Sequence, residues 1–205
     1  MTMGAIAAVG PAPNGRRERN KRAKLERIIA AAAGLFAEQG VDEVTTQQIA
    51  DAADIGTGTL FLYAKNKGEL LLLVQNAHYV DALQRGRTAA EDSATALDAV
   101  LAILRPVVEC NRTQTENGRT YLREMIFGDP TEPHHAEALS IAGQTEQALA
   151  AVLARHSGVR EVEAQTLARV ISAILFLTMA ASERADSSIE EILDAIRTQL
   201  TAILP

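Results

Sequence analysis

The residues with the greatest capacity for chemistry cluster between Thr45 and Lys67. This stretch holds four threonines (Thr45, Thr46, Thr57, Thr59), two adjacent glutamines (Gln47, Gln48), Tyr63 and two lysines. Small hydroxyl and amide side chains beside free backbone amides suit hydrogen bonding to phosphate and to the edges of bases. They do not suit bond-breaking chemistry. Gly56-Thr57-Gly58 is half of a dinucleotide-binding fingerprint, but Phe61 stands at the third glycine position and no strand pattern precedes it. No phosphate-binding Walker loop, nucleophile elbow, paired cysteines or zinc-helix signature is present. His134 and His135 are adjacent, so on a helix their side chains diverge; even with Asp129 nearby they make a poor metal site. His78 and His156 read as surface or packing residues. Cys110 is the only cysteine, which excludes a disulfide scaffold and, within an apolar helical pattern, reads as a buried thiol. The sequence therefore indicates a binding protein without an enzymatic centre, metal or cofactor.

Positioning these groups takes two short helices and a tight turn. Thr45-Thr46 can cap a helix carrying Ile49, Ala50 and Ala53, and the chain must then reverse at Asp54-Ile55-Gly56. Asp tolerates the left-handed backbone that such a turn requires better than most residues. A brief helix from Thr57 to about Ala64 follows, its small N-terminal residues able to approach a groove or a phosphate closely. Ile49, Ala50, Ile55 and Leu60 have the size and spacing to fix the angle between the two helices. Two short helices across a tight turn form a helix-turn-helix.

The run from Thr45 to Tyr63, followed by Asn66-Lys67 and Glu69-Leu70-Leu71, closely resembles the tetracycline-repressor (TetR) family. The preceding Leu35-Phe36-Ala37-Glu38-Gln39-Gly40 resembles the end of that family's first helix. Specific resemblance spans about residues 21 to 74. It implies that Thr46 and Lys67 bind phosphate, that Gln47 contacts a base or phosphate, and that Thr57, Gly58 and Thr59 face base edges. Tyr63 matches an aromatic whose hydroxyl reaches the DNA backbone. Four positions depart from the family pattern: Asp54 for a turn glycine, Gly56 for a capping serine, Ala64 for a phenylalanine and Phe61 for a tyrosine.

The rest of the chain reads as helix throughout. Aromatics make up 3% of 205 residues and tryptophan is missing, whereas Ala, Leu and Ile abound, a composition poor in strand formers. The first helical pattern starts at Asn20 (Leu25, Ile28, Ile29, Ala32, Leu35, Phe36) and a long fourth helix runs from Asn66 to about Arg87. Five more are expected at 93–112, 116–127, 134–156, 160–182 and 187–204, with a kink at Pro106 and breaks at Asn117-Gly118, Gly128-Asp129-Pro130, Ser157-Gly158 and 186–188. The expected fold is all-α with about nine helices: a disordered basic arm over 1–20, a three-helix DNA-binding domain over 21–67, and a ligand-binding and dimerisation domain over 68–205.

Charge divides the chain in the same way. Residues 1–27 carry seven basic and two acidic side chains, a net +5, while residues 75–205 carry eleven arginines against eighteen acids, a net −7. A basic head on an acidic body points to a polyanion partner for the head alone. Arg16, Arg17 and Arg19 in the arm have two candidate uses, following the minor groove or raising non-specific affinity. The longest apolar run, Val170 to Ala181, is shorter than a membrane span and the N-terminus lacks the charge order of a secretory signal, so a cytoplasmic protein is expected. The apolar residues of the last two helices exceed what one core needs, which favours a homodimer through those helices.

The expected function is a ligand-responsive transcriptional regulator, a repressor that binds a palindromic operator on double-stranded DNA as a homodimer and is released by a small-molecule effector. The alternative is a constitutive or architectural DNA-binding protein, which would not need so large an acidic, apolar body. Effector-site candidates are Cys110, Asn111, Tyr121, Met125 and Phe127 on the middle helices, faced by Phe176 and Met179. The sequence does not name the effector, the operator or the regulated genes.

Overall fold

A computed structural model describes residues 13–204, which are helical apart from turns and connections. Helix α1 (Pro13–Gln39) starts well before Asn20, so residues 13–20 of the expected disordered arm are helical; residues 1–12 lie outside the described residues. Proline is tolerated in a first helical turn, and the arginines, lysines and glutamates that follow are good helix formers despite Gly15. Gly40, at φ +80°, ends α1.

Helix α2 (Thr46–Ala52) starts in a reciprocal capping box between Thr45 and Gln48. Helix α3 (Thr57–Leu60) is shorter than the sequence pattern suggests and continues into turns up to Tyr63. Asn66 caps α4 (Lys67–Ala89) by accepting from the Glu69 amide. Ile28, Ala32 and Phe36 of α1 are buried with Ile49, Ala50 and Leu60, making a small core that pins α2 and α3 on α1.

The body comprises α5 (Ala96–Arg112), α6 (Thr115–Phe127), α7 (Pro133–Ser157), α8 (Glu161–Ala180), a 3-10 turn (Ser182–Arg184) and α9 (Ile189–Ile203). Helix α4 packs on α5 and α7, α5 packs on α7 and α9, and α8 lies against α7 and α9. Helix α5 is continuous across Pro106. Asn117-Gly118 is not a break: both residues lie inside α6, and the chain turns earlier, at Thr113-Gln114. Gly118 is needed there because a Cβ would collide with the Asn111 carbonyl of α5.

The last two helices differ from each other. On α9, Ile192, Leu193, Ile196 and Leu200 fill the chain's own core, which accounts for most of its apolar repeat. On α8, Val162, Val170 and Leu177 are 71%, 41% and 67% exposed along one outer face. Among the described helices α8 has the length and hydropathy of a membrane span, although no uninterrupted apolar run is that long; only a third of its apolar stretch is buried.

Candidate nucleic-acid interface and effector cavity

The turn between α2 and α3 is built as its sequence requires. Asp54 has φ +53°, the only non-glycine on the positive side among the described residues, and the Asp54 and Ile55 amides donate to the carbonyls of Asp51 and Ala50. Its carboxylate also receives Arg27 of α1 at 3.3 Å, which ties the turn to the first helix. Gly56 provides no side-chain cap, so α3 starts on backbone bonds alone, from the Thr59 and Leu60 amides to the Gly56 carbonyl.

Several residues assigned to DNA by resemblance are held by one another. Thr57 Oγ1 donates to Gln47 Oε1 at 2.6 Å, and Gln47 Nε2 donates to Asp51 Oδ1 at 2.7 Å. This chain fixes the Gln47 amide across the gap between α2 and the start of α3, while Thr46 and Thr59 are half-buried and Gly58 is exposed beside them. Tyr63 Oη donates weakly, at 3.4 Å, to the Lys21 carbonyl of α1. Lys67 Nζ donates to the carbonyls of Asp42 and Val44 at 3.0 and 3.2 Å, leaving one of its three donors for another acceptor.

Behind this head, a cavity of about 90 Å3 lies among α4, α5, α6, α7 and α8. Tyr121, Met125, Phe176 and Met179 line it, as the sequence suggested, together with Tyr79 and Ser172, which it did not suggest. Tyr79 and Tyr121 stack with ring centroids 4.3 Å apart. Burial raises both phenols well above their ordinary range, so the two hydroxyls stay protonated. Tyr121 Oη donates to Asn76 Oδ1 at 2.9 Å, and Tyr79 Oη accepts from Asn111 Nδ2 at 3.0 Å. No charged side chain lines the cavity.

The other effector-site candidates fall elsewhere. Asn111 is buried behind the wall and supports Tyr79 without lining the space. Cys110 lines a separate polar groove between α1 and helices α4 to α6, and burial pushes its thiol up to about 11. Phe127 is 80% exposed at the end of α6. His134 and His135 do not pair: His134 Nε2 lies 3.0 Å from the Tyr63 carbonyl, whereas His135 is buried with neither ring nitrogen bonded. Among the described residues no group of three His, Cys, Asp or Glu is arranged to hold a metal ion.

Sequence reading also missed Asn117. Its Oδ1 accepts from the Val41 amide at 2.7 Å and its Nδ2 donates to the Phe36 carbonyl at 2.8 Å, both buried. A side-chain amide thus replaces a peptide partner for the end of α1. Asn117, Tyr121 and Met125 recur every four residues, so one face of α6 touches both the head and the cavity. A second junction joins Lys65 to the buried Glu132 in an ion pair, beside Glu69, whose carboxyl burial pushes up.

Residues 28–74 match the family described as bacterial regulatory proteins, tetR family. Over 208 aligned residues the chain is 26% identical to the HTH-type transcriptional regulator TcmR of Streptomyces glaucescens, covering 94% of this chain and 89% of that protein. Its fold is similar to that of FadR from Thermus thermophilus, a TetR-family transcriptional repressor solved with lauroyl-CoA (TM-score 0.67, 20% identity, 87% of this chain and 93% of that one). It is also similar to AibR, solved with isovaleryl coenzyme A and operator DNA (TM-score 0.58, 16% identity, 86% and 97%). The matched segment contains α2, α3, the Asp54 turn and Lys67, the parts whose geometry forms the helix-turn-helix. Residues 28–74 thus carry a segment similar to the DNA-binding part of tetR-family bacterial regulatory proteins, in a chain whose overall fold is similar to that of TetR-family regulators.

Proposed function

We propose that this regulator is a homodimeric repressor of a palindromic operator, released when an effector enters the cavity of the body. The observation that carries the reading is α6, a single helix that joins the cavity wall through Tyr121 and Met125 to the head through Asn117. Thr57, Gly58 and Thr59 meet base edges with Gln47, and Thr46, Tyr63 and Lys67 meet phosphates. Phosphate contacts set register, and groove contacts carry sequence. Tyr63 and Lys67 exchange their internal carbonyl partners for phosphate, or share them, on docking.

The dimer forms through the outer face of α8, where Val162, Val170 and Leu177 need cover, with α9 beside it. Two-fold symmetry then sets the recognition helices one DNA turn apart, about 34–36 Å. The effector presents an uncharged apolar group to the cavity, because no charged side chain lines it and both phenols are neutral. The cavity is smaller than an engineered hole that takes benzene, about 150 Å3, so occupancy displaces Tyr121 or Met125 and with them α6. Displacing α6 loads the two Asn117 bonds, and α4, which carries both Tyr79 and Lys67, follows. The effector acts by its differential affinity for the two head positions.

The test is binding of the full-length protein to its selected palindrome, followed by fluorescence anisotropy, with isovaleryl-CoA and lauroyl-CoA as probes and Ala142→Phe as a cavity-filling variant. Filling the cavity, by either probe or by the variant, is expected to weaken binding about tenfold or more, within the usual range of allosteric coupling. Unchanged affinity with both probes and with the folded variant would overturn the effector reading.

A further inference from the structure

From the helical state of residues 13–24 we infer that the N-terminal half of α1 is a preformed phosphate-tracking strut, which extends the DNA footprint beyond the helix-turn-helix without reading sequence. The inference rests on the head's binding of DNA and adds a second binding element. Of seven basic side chains between Arg16 and Arg27, Arg22 is paired with Glu26 and Arg27 with Asp54. The others (Arg16, Arg17, Arg19, Lys21, Lys24) have no ion pair among the described residues.

Helical spacing sorts these charges into two sides. Arg17, Lys21 and Lys24 recur at steps of four and three, and Arg16 falls beside them, so four cations share one face. Glu18, Arg22 and Glu26 recur every four residues on the opposite side, and Arg19 falls beside them, so two acids there balance two bases. The cationic face continues the DNA-facing surface of the head, because the Lys21 carbonyl receives the Tyr63 hydroxyl at the end of the recognition segment.

Geometry excludes one of the two uses open to a flexible arm. A helix with its side chains is about 10–12 Å across, whereas the minor groove is about 6 Å wide. Residues 13–24 therefore cannot lie in that groove as a helix, and their cations are left to meet phosphate oxygens. From Pro13 to Lys24 the helix rises about 18 Å, the axial rise of about five base pairs. A membrane surface is a poorer partner: between Pro13 and Lys24 there is no large apolar residue to enter the bilayer boundary.

The experiment compares the full-length protein with the triple variant Arg16→Ala, Arg17→Ala, Lys21→Ala, on a duplex carrying the selected palindrome and on an unrelated duplex of equal length, from 50 to 200 mM salt. All three positions are exposed and alanine is a strong helix former, so the fold is kept, which circular dichroism checks. Three lost phosphate contacts reduce the slope of log affinity against log salt by about 2.7. The wild type then loses about 40-fold more affinity than the variant across that range, and equally on both duplexes. Equal slopes for the two proteins would overturn the inference, as would a loss confined to the palindrome, which would make these residues readers of bases. Should the wild type show no preference for a palindrome, the operator reading fails while the slopes on the unrelated duplex still decide this one.

Discussion

The head and the body use polar groups in opposite ways. In the head, Gln47, Thr57, Tyr63 and Lys67 are near the surface and bonded to their neighbours. In the body, Tyr79, Tyr121, Asn76 and Asn111 are buried and bonded around an apolar space. A surface polar group can be fixed by a near side chain, as Gln47 is by Asp51, or by a backbone carbonyl, as Tyr63 and Lys67 are. A buried one needs partners from other helices, as in the Tyr121–Asn76 bond between α6 and α4. On the proposed function, this difference separates a head that meets a charged polymer from a body that holds something uncharged.

The largest effect expected from breaking the contrast is at Leu60, fully buried where α3 meets the small head core. Leu60→Ala should cost about 2–5 kcal/mol in the head and abolish operator binding while the body keeps its helical signal. Urea denaturation followed by far-ultraviolet circular dichroism checks this; loss of body and head in one undiminished transition would deny their separateness. Next is Asn117→Ala, which leaves the buried Val41 amide without a partner, at about 1–3 kcal/mol, and the Phe36 carbonyl with the Gly40 amide alone. That variant is expected to bind operator DNA but to lose most of its response to cavity filling. A full response in the folded variant would move the coupling to α4 alone.

Much of the head was legible because its determinants are local. The Thr45 cap, the Asp54 turn and the start of α4 at Asn66 are each set within a few residues and appear where the sequence placed them; the closing of the cap by Gln48 is an addition of the structure. Helix existence in the body was also legible from periodicity. What was not legible came from pairings between distant segments. Asn117-Gly118 looks like a chain break, yet Gly118 admits the α5 backbone and Asn117 reaches α1, 81 residues away at Phe36. Tyr79 is a single aromatic in a leucine-rich helix, and nothing local marks it as a cavity wall. Cys110 and Asn111 lie near the cavity in sequence, but their rotation on α5 turns one to a groove and hides the other. Over residues 13–20 the expected arm failed for another reason: Pro13 stands where α1 starts, and the charged residues after it favour helix.

Smaller effects sharpen the distinction within the head between holding DNA and reading it. Lys67→Ala should weaken binding to every sequence alike and reduce the salt slope by about 1, whereas Thr59→Ala should change the preferred sequence at about 1–3 kcal/mol per altered base pair. Competition binding on a panel of single-substituted operators tells them apart, and a change of preference in Lys67→Ala would contradict its assignment. The smallest effect concerns Glu69 at the head–body junction. Burial raises its carboxyl above the unfolded value, so the native state holds the proton more tightly. Its contribution is complete below the ordinary glutamate range and is lost as pH rises through the raised value. Glu69→Gln should therefore flatten the fall in stability over that window without lowering neutral-pH stability, and a steeper fall in thermal scans across pH would contradict this.

On the proposed function, the head reads a two-fold symmetric DNA sequence. The direct measurement is selection of genomic fragments by the purified full-length protein, sequenced at two salt concentrations. Recovery of one palindrome, with half-sites about a helical turn apart and retained at the higher salt, is the result expected. Recovery of fragments without a shared sequence, all lost at the higher salt, would contradict it and leave a generic polyanion binder.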